Sequence, residues 1–324
     1  MFHKPDSLGQ ILRSLLRLLW LTAGLSVNWR KFVYRQLCAK GDIPNFPFEK
    51  DFFGLRYQGN LNNNIEASIF FYGAFEKPLL FFLRDVINSI QEKHPQTKPV
   101  FMDVGANIGQ HSLYMSKFAE SVVAFEPFPI VNEKFKHQIS LNNISNIELY
   151  EYGLSDKDEL LNFYAPTGRN QGIGSFDENT ATKGNREMSK LQLYKGDTFL
   201  DGHILSGISL MKIDVEGFEK KVIAGLKATL INNRPIIACE ISYGEQFSFS
   251  NRADLIQHLP QDYMLFRFNT RNADGSKAKR RSSFAKRSGF YEIIESKGWR
   301  TSGQDDIIAA PVEKLDILIK IKTA

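Results

Sequence analysis

Cysteine is scarce. Cys38 and Cys239 are the only two in 324 residues and stand far apart, which excludes a disulfide framework and a cysteine-rich zinc site and reads as a reducing, cytosolic setting. The N-terminal apolar stretch "ILRSLLRLLWLTAGLSV" (11–27) lacks the length of a membrane span. Arg13 and Arg17 interrupt it, and its longest uncharged run goes from Leu18 to Trp29, short of the roughly 20 residues that crossing requires. Acidic residues are scarce in two places. Residues 1–40 hold seven Lys/Arg against one acid, and 267–300 hold ten against three. With +5 overall, +6 and +7 in those segments leave −8 on the rest. Such segregation predicts basic surfaces flanking an acidic body, suited to an anionic membrane or a phosphate-bearing partner.

What is present is a packed chain, 43% hydrophobic, long enough for one large domain or two smaller ones. Read as a helix, 11–35 puts Arg13, Arg17, Gly24, Asn28, Lys31 and Arg35 on one polar stripe within an otherwise apolar surface, as in helices lying in a membrane interface. A helix packed on the domain or on another subunit is the alternative, and Gly24 weakens a continuous helix. The expected organisation is a basic helical extension (1–45), a cap or lid segment (46–96) and a main domain (97–324) with an insertion (157–200) and a basic loop (271–289).

From residue 97 short β-branched or aromatic runs alternate with helical periods. Strands are expected near 100–104, 121–126, 147–152, 208–214, 235–241 and 263–268, with helices near 108–118, 129–142, 217–231 and 252–259. One or two late strands are expected in 306–319, with Pro311 marking a break or an edge. This alternation predicts an α/β fold with a largely parallel sheet covered on both faces.

Ligands of such sheets bind beyond the carboxyl ends of the strands. The first strand ends in "FMDVGANIGQ", with Asp103, Gly105, Asn107 and Gly109; the second ends in "VVAFEPFP", with Glu126 23 residues after Asp103. The glycines permit a tight turn and a close backbone approach, and an acid at the second strand end can accept ribose hydroxyls. A nicotinamide dinucleotide site is one reading, but the three crowded glycines of the dinucleotide fingerprint are missing and a carboxylate stands beside the loop. A carboxylate repels phosphates and attracts cations, so S-adenosylmethionine, with its sulfonium and α-ammonium, fits better. A structural turn with Asn107 as a helix cap is the plain alternative.

The strand "ISLMKIDVEGF" places Lys212, Asp214 and Glu216 at alternate positions, able to point to one side. Taken in order, "DVGANIGQHS", "FEPFP", "GLSD" (153–156), "MKIDVEGFE" and "RPIIACEI" resemble the FkbM-type family of S-adenosylmethionine-dependent methyltransferases, closely over 97–245 and less specifically over "DFFGLRYQGN" and "FFYGAFEKP". The resemblance implies a class I methyltransferase, Rossmann-like sheet of seven strands, the last antiparallel, and methylation of a hydroxyl, commonly on sugars or polyketide products. It implies that Asp103, Gly105, Asn107 and Gly109 contact the methionine part, Glu126 the ribose, and Leu154, Ser155 and Asp156 the adenine. "YGAFEKP" could close over the cofactor, with Glu76 at the amino-acid end and Tyr72 near the sulfonium; ordinary packing explains the aromatics equally.

Methyl transfer to a hydroxyl is an in-line displacement needing a base, a metal or both. Asp214 is the first choice for base or metal ligand, with Glu216 and Glu240 next. Asp214 and Glu240 could hold Mg²⁺ through oxygens and waters, whereas Lys212 favours a metal-free site. His111 is a proton-shuttle candidate and otherwise a plain helix residue. Arg169 and Ser175, in the insertion, could meet the acceptor. "GSKAKRRSSFAKRSGF" (275–290), with six basic residues and no acid, reads as a flexible loop for anionic glycan or lipid head groups; nucleic acid is the less favoured partner. The leading expectation is an O-methyltransferase acting on a sugar in a glycan or lipid-linked glycan, cytoplasmic and peripheral on the inner membrane face. A dinucleotide-dependent oxidoreductase and a non-enzymatic membrane-associated module are the alternatives.

Overall fold

Residues 7–21, 26–39, 45–166, 174, 176, 185–201, 207–244, 248–272 and 275–322 are described by the structure, a computed structural model. The chain divides into two units, the first running to Phe75 and the second starting at Glu76.

In the first unit the expected single N-terminal helix resolves into two, α1 (Ser7–Leu21) and α2 (Val27–Ala39). The proposed stripe therefore spans two separate helices, and Gly24 lies outside the described residues. A two-stranded hairpin follows, β1 (Pro47–Phe52) and β2 (Leu55–Asn60). Its turn residues, Phe53 and Gly54, both have positive φ, 54° and 88°, the combination that matches the twist of paired strands. Then comes α3 (Asn64–Tyr72), started by Asn63, whose side chain accepts from the Ile65 and Glu66 amides, and stopped by Gly73 at φ 87°. Trp20, Val33, Leu37, Leu61 and Phe70 form the core of this unit, with Trp20 stacked on Phe46 at 4.7 Å. Lys31 sits over the Tyr72 ring, 4.2 Å from its centroid.

The second unit opens with α4 (Lys77–Lys93), entered through Glu76 at φ 43° and Pro78 in the first turn. Strand and helix then alternate as β3 (Val100–Val104), α5 (Gln110–Met115), β4 (Ser121–Phe125), α6 (Pro129–Leu141) and β5 (Ile147–Tyr150). The next strands, β6 (Gly153–Ser155), β7 (Glu159–Pro166) and β8 (Asn185–Lys195), form a separate three-stranded sheet. The insertion thus contributes an antiparallel β7–β8 pair, followed by α7 (Gly196–Asp201). β9 (Ile208–Ile213) returns to the main sheet. The expected helix over 217–231 is split into α8 (Glu219–Gly225) and α9 (Lys227–Asn233). The split falls where a side chain at Gly225 would sit 1.9 Å from the Ser155 carbonyl oxygen, so α8 packs on β6 through bare backbone.

β10 (Ile236–Tyr243), α10 (Arg252–His258), β11 (Tyr263–Phe268), α11 (Lys279–Ser288), β12 (Ile293–Glu295) and β13 (Gly303–Pro311) complete the unit. The main sheet has the order β12-β11-β13-β10-β9-β3-β4-β5. β10, β9, β3, β4 and β5 are parallel, and β13 runs against both β10 and β11. β3 and β9 are buried along their whole length, as central strands covered on both faces are. The sheet is therefore the Rossmann-like one expected, but with eight strands rather than seven: the three-residue β12 adds to the edge beside β11. Pro311 ends β13 inside the sheet, and a 3₁₀ turn follows over Val312–Ile317.

The basic segment is not a loop through its length. Residues Lys279–Ser288 form α11, closed by Gly289 at φ 79°, whose amide donates to the Ala285 carbonyl. Lys and Arg are adequate helix formers, and two of them, Lys286 and Arg287, occupy the last turn, where the helix dipole favours positive charge.

Candidate functional site

The carboxyl ends of β3 and β4 meet through Glu126. Its two oxygens accept from the Asn107 and Phe128 amides, each at 2.8 Å, clamping the loop after β3 to the end of β4. Burial pushes the Glu126 carboxyl up to about 7, although both amides pull the other way. Asn107 takes positive φ, 53°, and its side chain accepts from the Ile108 amide; the residue ahead of α5 is Gly109, so Asn107 is a turn residue and not the helix cap. Both loop glycines are required by the chain itself. A side chain at Gly105 would lie 1.9 Å from the Asp214 carbonyl oxygen, and one at Gly109 would lie 2.0 Å from the Phe135 ring.

Asp103 is fully buried. One oxygen accepts from Ser112 Oγ at 2.7 Å; the other has no hydrogen-bond partner among the described residues and lies 3.6 Å from Lys212 Nζ. Burial raises the Asp103 carboxyl and Lys212 pulls it back. Lys212 is itself buried and 3.2 Å from Asp214 Oδ2. Burial opposes its charge, but Asp214, Asp103 and Glu76 outweigh that cost and hold the ammonium protonated.

Acids gather at the adjoining ends of β9, β10 and β13. Oxygens of Asp214, Glu216 and Glu240 all lie within 4.8 Å of one another, close enough for three oxygens to share one divalent cation. Glu216 sits at φ 52° in the turn after β9. That turn is tied by Glu219, which accepts from the Val215 and Gly217 amides at 3.2 and 3.0 Å. Antiparallel pairing sets Asp306 directly opposite Glu240. Burial, followed by the neighbouring acids, pushes Glu216 up to about 8, Asp306 to about 7 and Glu240 to about 12. Glu76 rises well above its ordinary value for the same reasons, burial first and then the charges of Asp306 and Asp214. Its Oε2 is 3.8 Å from His111 Nε2. Burial, then Lys212, depresses the His111 ring well below its usual range, so the imidazole is neutral at physiological pH.

The structure thus brings together Lys212, Asp214, Glu216, Glu240 and Glu76, drawn from three separate stretches of sequence, with Asp103 joined through Lys212. On β6, the Leu154 side chain belongs to the hydrophobic core, Ser155 Oγ lies 2.7 Å from Glu159 Oε1, and Asp156 is exposed. Arg169 and Ser175 lie outside the described residues. Sequence reasoning missed Asp306 and its neighbour Gln304, whose amide donates to Glu240 Oε2 at 3.0 Å. The available signal was the antiparallel last strand, which delivers its first residues, not its last, to the carboxyl edge of a parallel sheet.

Residues 103–268 match the family model described as the methyltransferase FkbM domain, half of the chain. "Methyltransferase 1" of Beauveria bassiana is 30% identical over 159 residues, 43% of this chain and 64% of that protein. "Methyltransferase sdnD" of Sordaria araneosa is 29% identical over 158 residues, 40% of this chain and 61% of that one. The chain therefore spans somewhat under two thirds of the length of these relatives. Among solved structures, the FkbM methyltransferase of Methylobacillus flagellatus KT aligns with a TM-score of 0.40 and 13% identity, covering 84% of this chain and 60% of that one. With the loop after β3 and the acid at the end of β4 falling inside the matched region, the chain belongs to the FkbM methyltransferase family.

Proposed function

We propose that the protein is an S-adenosylmethionine-dependent O-methyltransferase that modifies a sugar hydroxyl in a glycan or lipid-linked glycan. The observation that carries this reading is the charge of the site. Burial and then the neighbouring carboxylates, Asp214 among them, raise Glu76, Glu216, Glu240 and Asp306, and Lys212 opposes the rise at Glu76, Glu216 and Asp306. Such a site favours a cation and disfavours pyrophosphate. The residues present fit the cofactor: an acid excess faces its positive groups, and the buried Asp103 has an oxygen with no hydrogen-bond partner among the described residues. Asp103 and Glu76 would hold its amino-acid end, Glu126 its ribose, and Leu154, Ser155 and Asp156 its adenine. When bound, the cofactor supplies an electrophilic methyl group on sulfur.

Asp214, ending β9 and fixed by Lys212, takes the proton of the acceptor hydroxyl. Asp306, raised to about 7, receives it next, since a proton acceptor works best with a pKa near the working pH. Lys212 provides countercharge that a metal would otherwise provide, so the metal-free site is the form proposed. Mg²⁺ on Asp214 and Glu240 is the alternative, and activity lost to a chelator and restored by Mg²⁺ would select it. The central test is titration of the purified protein with S-adenosylmethionine. Saturable binding that is lost in Asp103→Ala, in a variant that still folds, supports the reading; nicotinamide dinucleotide binding instead overturns it. Mass spectrometry of glycans and lipids from cells lacking the gene should show an acceptor lighter by one CH₂.

We propose further that α1 and α2 rest on an anionic membrane surface. Among the described residues no helix is long and apolar enough to cross a membrane. Yet Ile11, Leu15, Leu18 and Leu21 on α1 and Trp29 on α2 are each more than half exposed. The two helices carry five Arg and Lys and no acid, the combination that suits an interfacial position. Flotation with phosphatidylglycerol vesicles, reduced with phosphatidylcholine and abolished by Leu15→Glu with Leu18→Glu, is expected. A soluble dimer lost in the same variant would overturn it in favour of a contact between copies.

A further inference from the structure

Beyond the acid cluster, the same sheet edge changes sign. A cavity of about 450 Å³ is lined by Tyr243, Arg267, Arg271, Trp299, Arg300 and Asp305, among others. A second cavity, of about 250 Å³, shares Arg267, Arg271 and Asp305 with it and reaches Glu76, Gln304 and Asp306. Three guanidinium groups therefore face one carboxylate at one end, while the other end is the acid cluster already described.

The basic end is a built arrangement. Asp305 holds two of the three arginines, Arg271 Nε at 2.6 Å and Arg300 at 3.0 Å, and the Gln304 carbonyl accepts from both. Arg300 also lies over the Tyr243 ring, 5.3 Å from its centroid, and Trp299 packs edge-on against that ring at 5.0 Å. The third, Arg267 on β11, has no hydrogen-bond or ion-pair partner for its side chain among the described residues, although it lines both cavities. A half-buried guanidinium without an acid, beside two others sharing a single carboxylate, leaves an excess of positive charge with planar donors suited to a carboxylate or phosphate.

We infer that the methyl acceptor carries an anionic group, a phosphate or a carboxylate, and that Arg267, Arg271 and Arg300 bind it. This rests on the methyltransferase reading of the acid cluster and narrows its substrate class to anionic sugars. The two ends are continuous. The smaller cavity is lined both by Arg267, Arg271 and Asp305 and by Glu76 and Asp306, so a monosaccharide bearing one charged substituent can place its anion among the arginines and a hydroxyl at the carboxylates.

The test is calorimetric titration of the full chain, saturated with S-adenosylhomocysteine, using glucose 1-phosphate, glucuronate and glucose as probes. One of the anionic probes should bind at least about tenfold more tightly than glucose, and which one does so separates phosphate from carboxylate. Arg267→Gln should weaken that probe by about 10- to 100-fold, the worth of a charged hydrogen bond, while Arg267→Lys retains part of the affinity. S-adenosylhomocysteine affinity should stay the same in both variants. Equal binding of glucose and both anions, or affinity unchanged in Arg267→Gln, overturns the inference. Failure of S-adenosylhomocysteine to bind the unaltered protein strikes the cofactor reading instead, and the anion preference is then read from the same titrations without it.

Discussion

Replacing Asp306 by Asn should stabilise the ligand-free protein, and by more as pH rises. Burial, then Asp214, raises the Asp306 carboxyl from 3.8 to about 7, with Lys212 pulling back. A folded state that binds a proton more tightly than the unfolded state loses stability as pH rises between the two values. The cost is therefore absent below about pH 4, grows through the interval and is complete above about pH 7. Three pH units correspond to roughly 4 kcal/mol. The side chain is only half-buried, so screening by water brings the expected effect to about 2 kcal/mol. Asn keeps the shape and removes the charge. Urea unfolding of both proteins from about pH 4 to about pH 8 should give a stability difference that starts near zero and widens with pH. Saturating S-adenosylmethionine should narrow it again, because a bound cation relieves the same repulsion. A flat difference, or an Asn variant less stable at the alkaline end, would refute the account of the cluster.

Gly105→Ala should cost more than about 3 kcal/mol, adding a clash with the Asp214 carbonyl to backbone strain, while Gly217→Ala, at φ 98° with open space around it, should cost about 1 kcal/mol from strain alone; urea unfolding of the pair checks this. Ser112→Ala removes the hydrogen bond to buried Asp103 and should cost about 1 to 3 kcal/mol in the same assay. Lys212→Met leaves Asp103 and Asp214 without their cation and should cost about 3 to 5 kcal/mol near neutral pH. The loss should shrink in acid as Asp103 takes up a proton.

The parallel strands were legible because burial on both faces writes them as mostly apolar runs, as in "VFMDV" and "ISLMKI", both wholly buried. Helix α11 was not legible. Of its ten residues only Ala285 is buried, so it has no apolar stripe to betray a period, and its Gly289 stop is its clearest mark. The β1–β2 hairpin was hidden because its turn is Phe-Gly and not Asn-Gly or Asp-Gly, with Asp51 Oδ1 accepting from the Gly54 amide to hold it. The glycines after β3 were read as room for a ligand; the chain also needs them for itself, since a side chain at either would meet the Asp214 carbonyl or the Phe135 ring, a packing demand that a one-dimensional pattern does not reveal.

How one sheet edge carries opposite charges at neighbouring places follows from the pleat of β13. Successive residues of a strand point to opposite sides, and Asp305 and Asp306 are successive. Asp305 turns to Arg271 and Arg300, whereas Asp306 joins the carboxylates around Asp214. Because β13 runs against β10, both residues arrive at the end where the parallel strands finish. Two acids adjacent in sequence thus have separable duties, one ordering the arginines and the other adding to the negative charge. Asp305→Asn should weaken binding of the anionic sugar probe and leave S-adenosylmethionine affinity intact, and Asp306→Asn should do the reverse. Both affinities falling together in both variants would mean that the strand holds a single indivisible site, and the division of labour argued for this edge would be wrong.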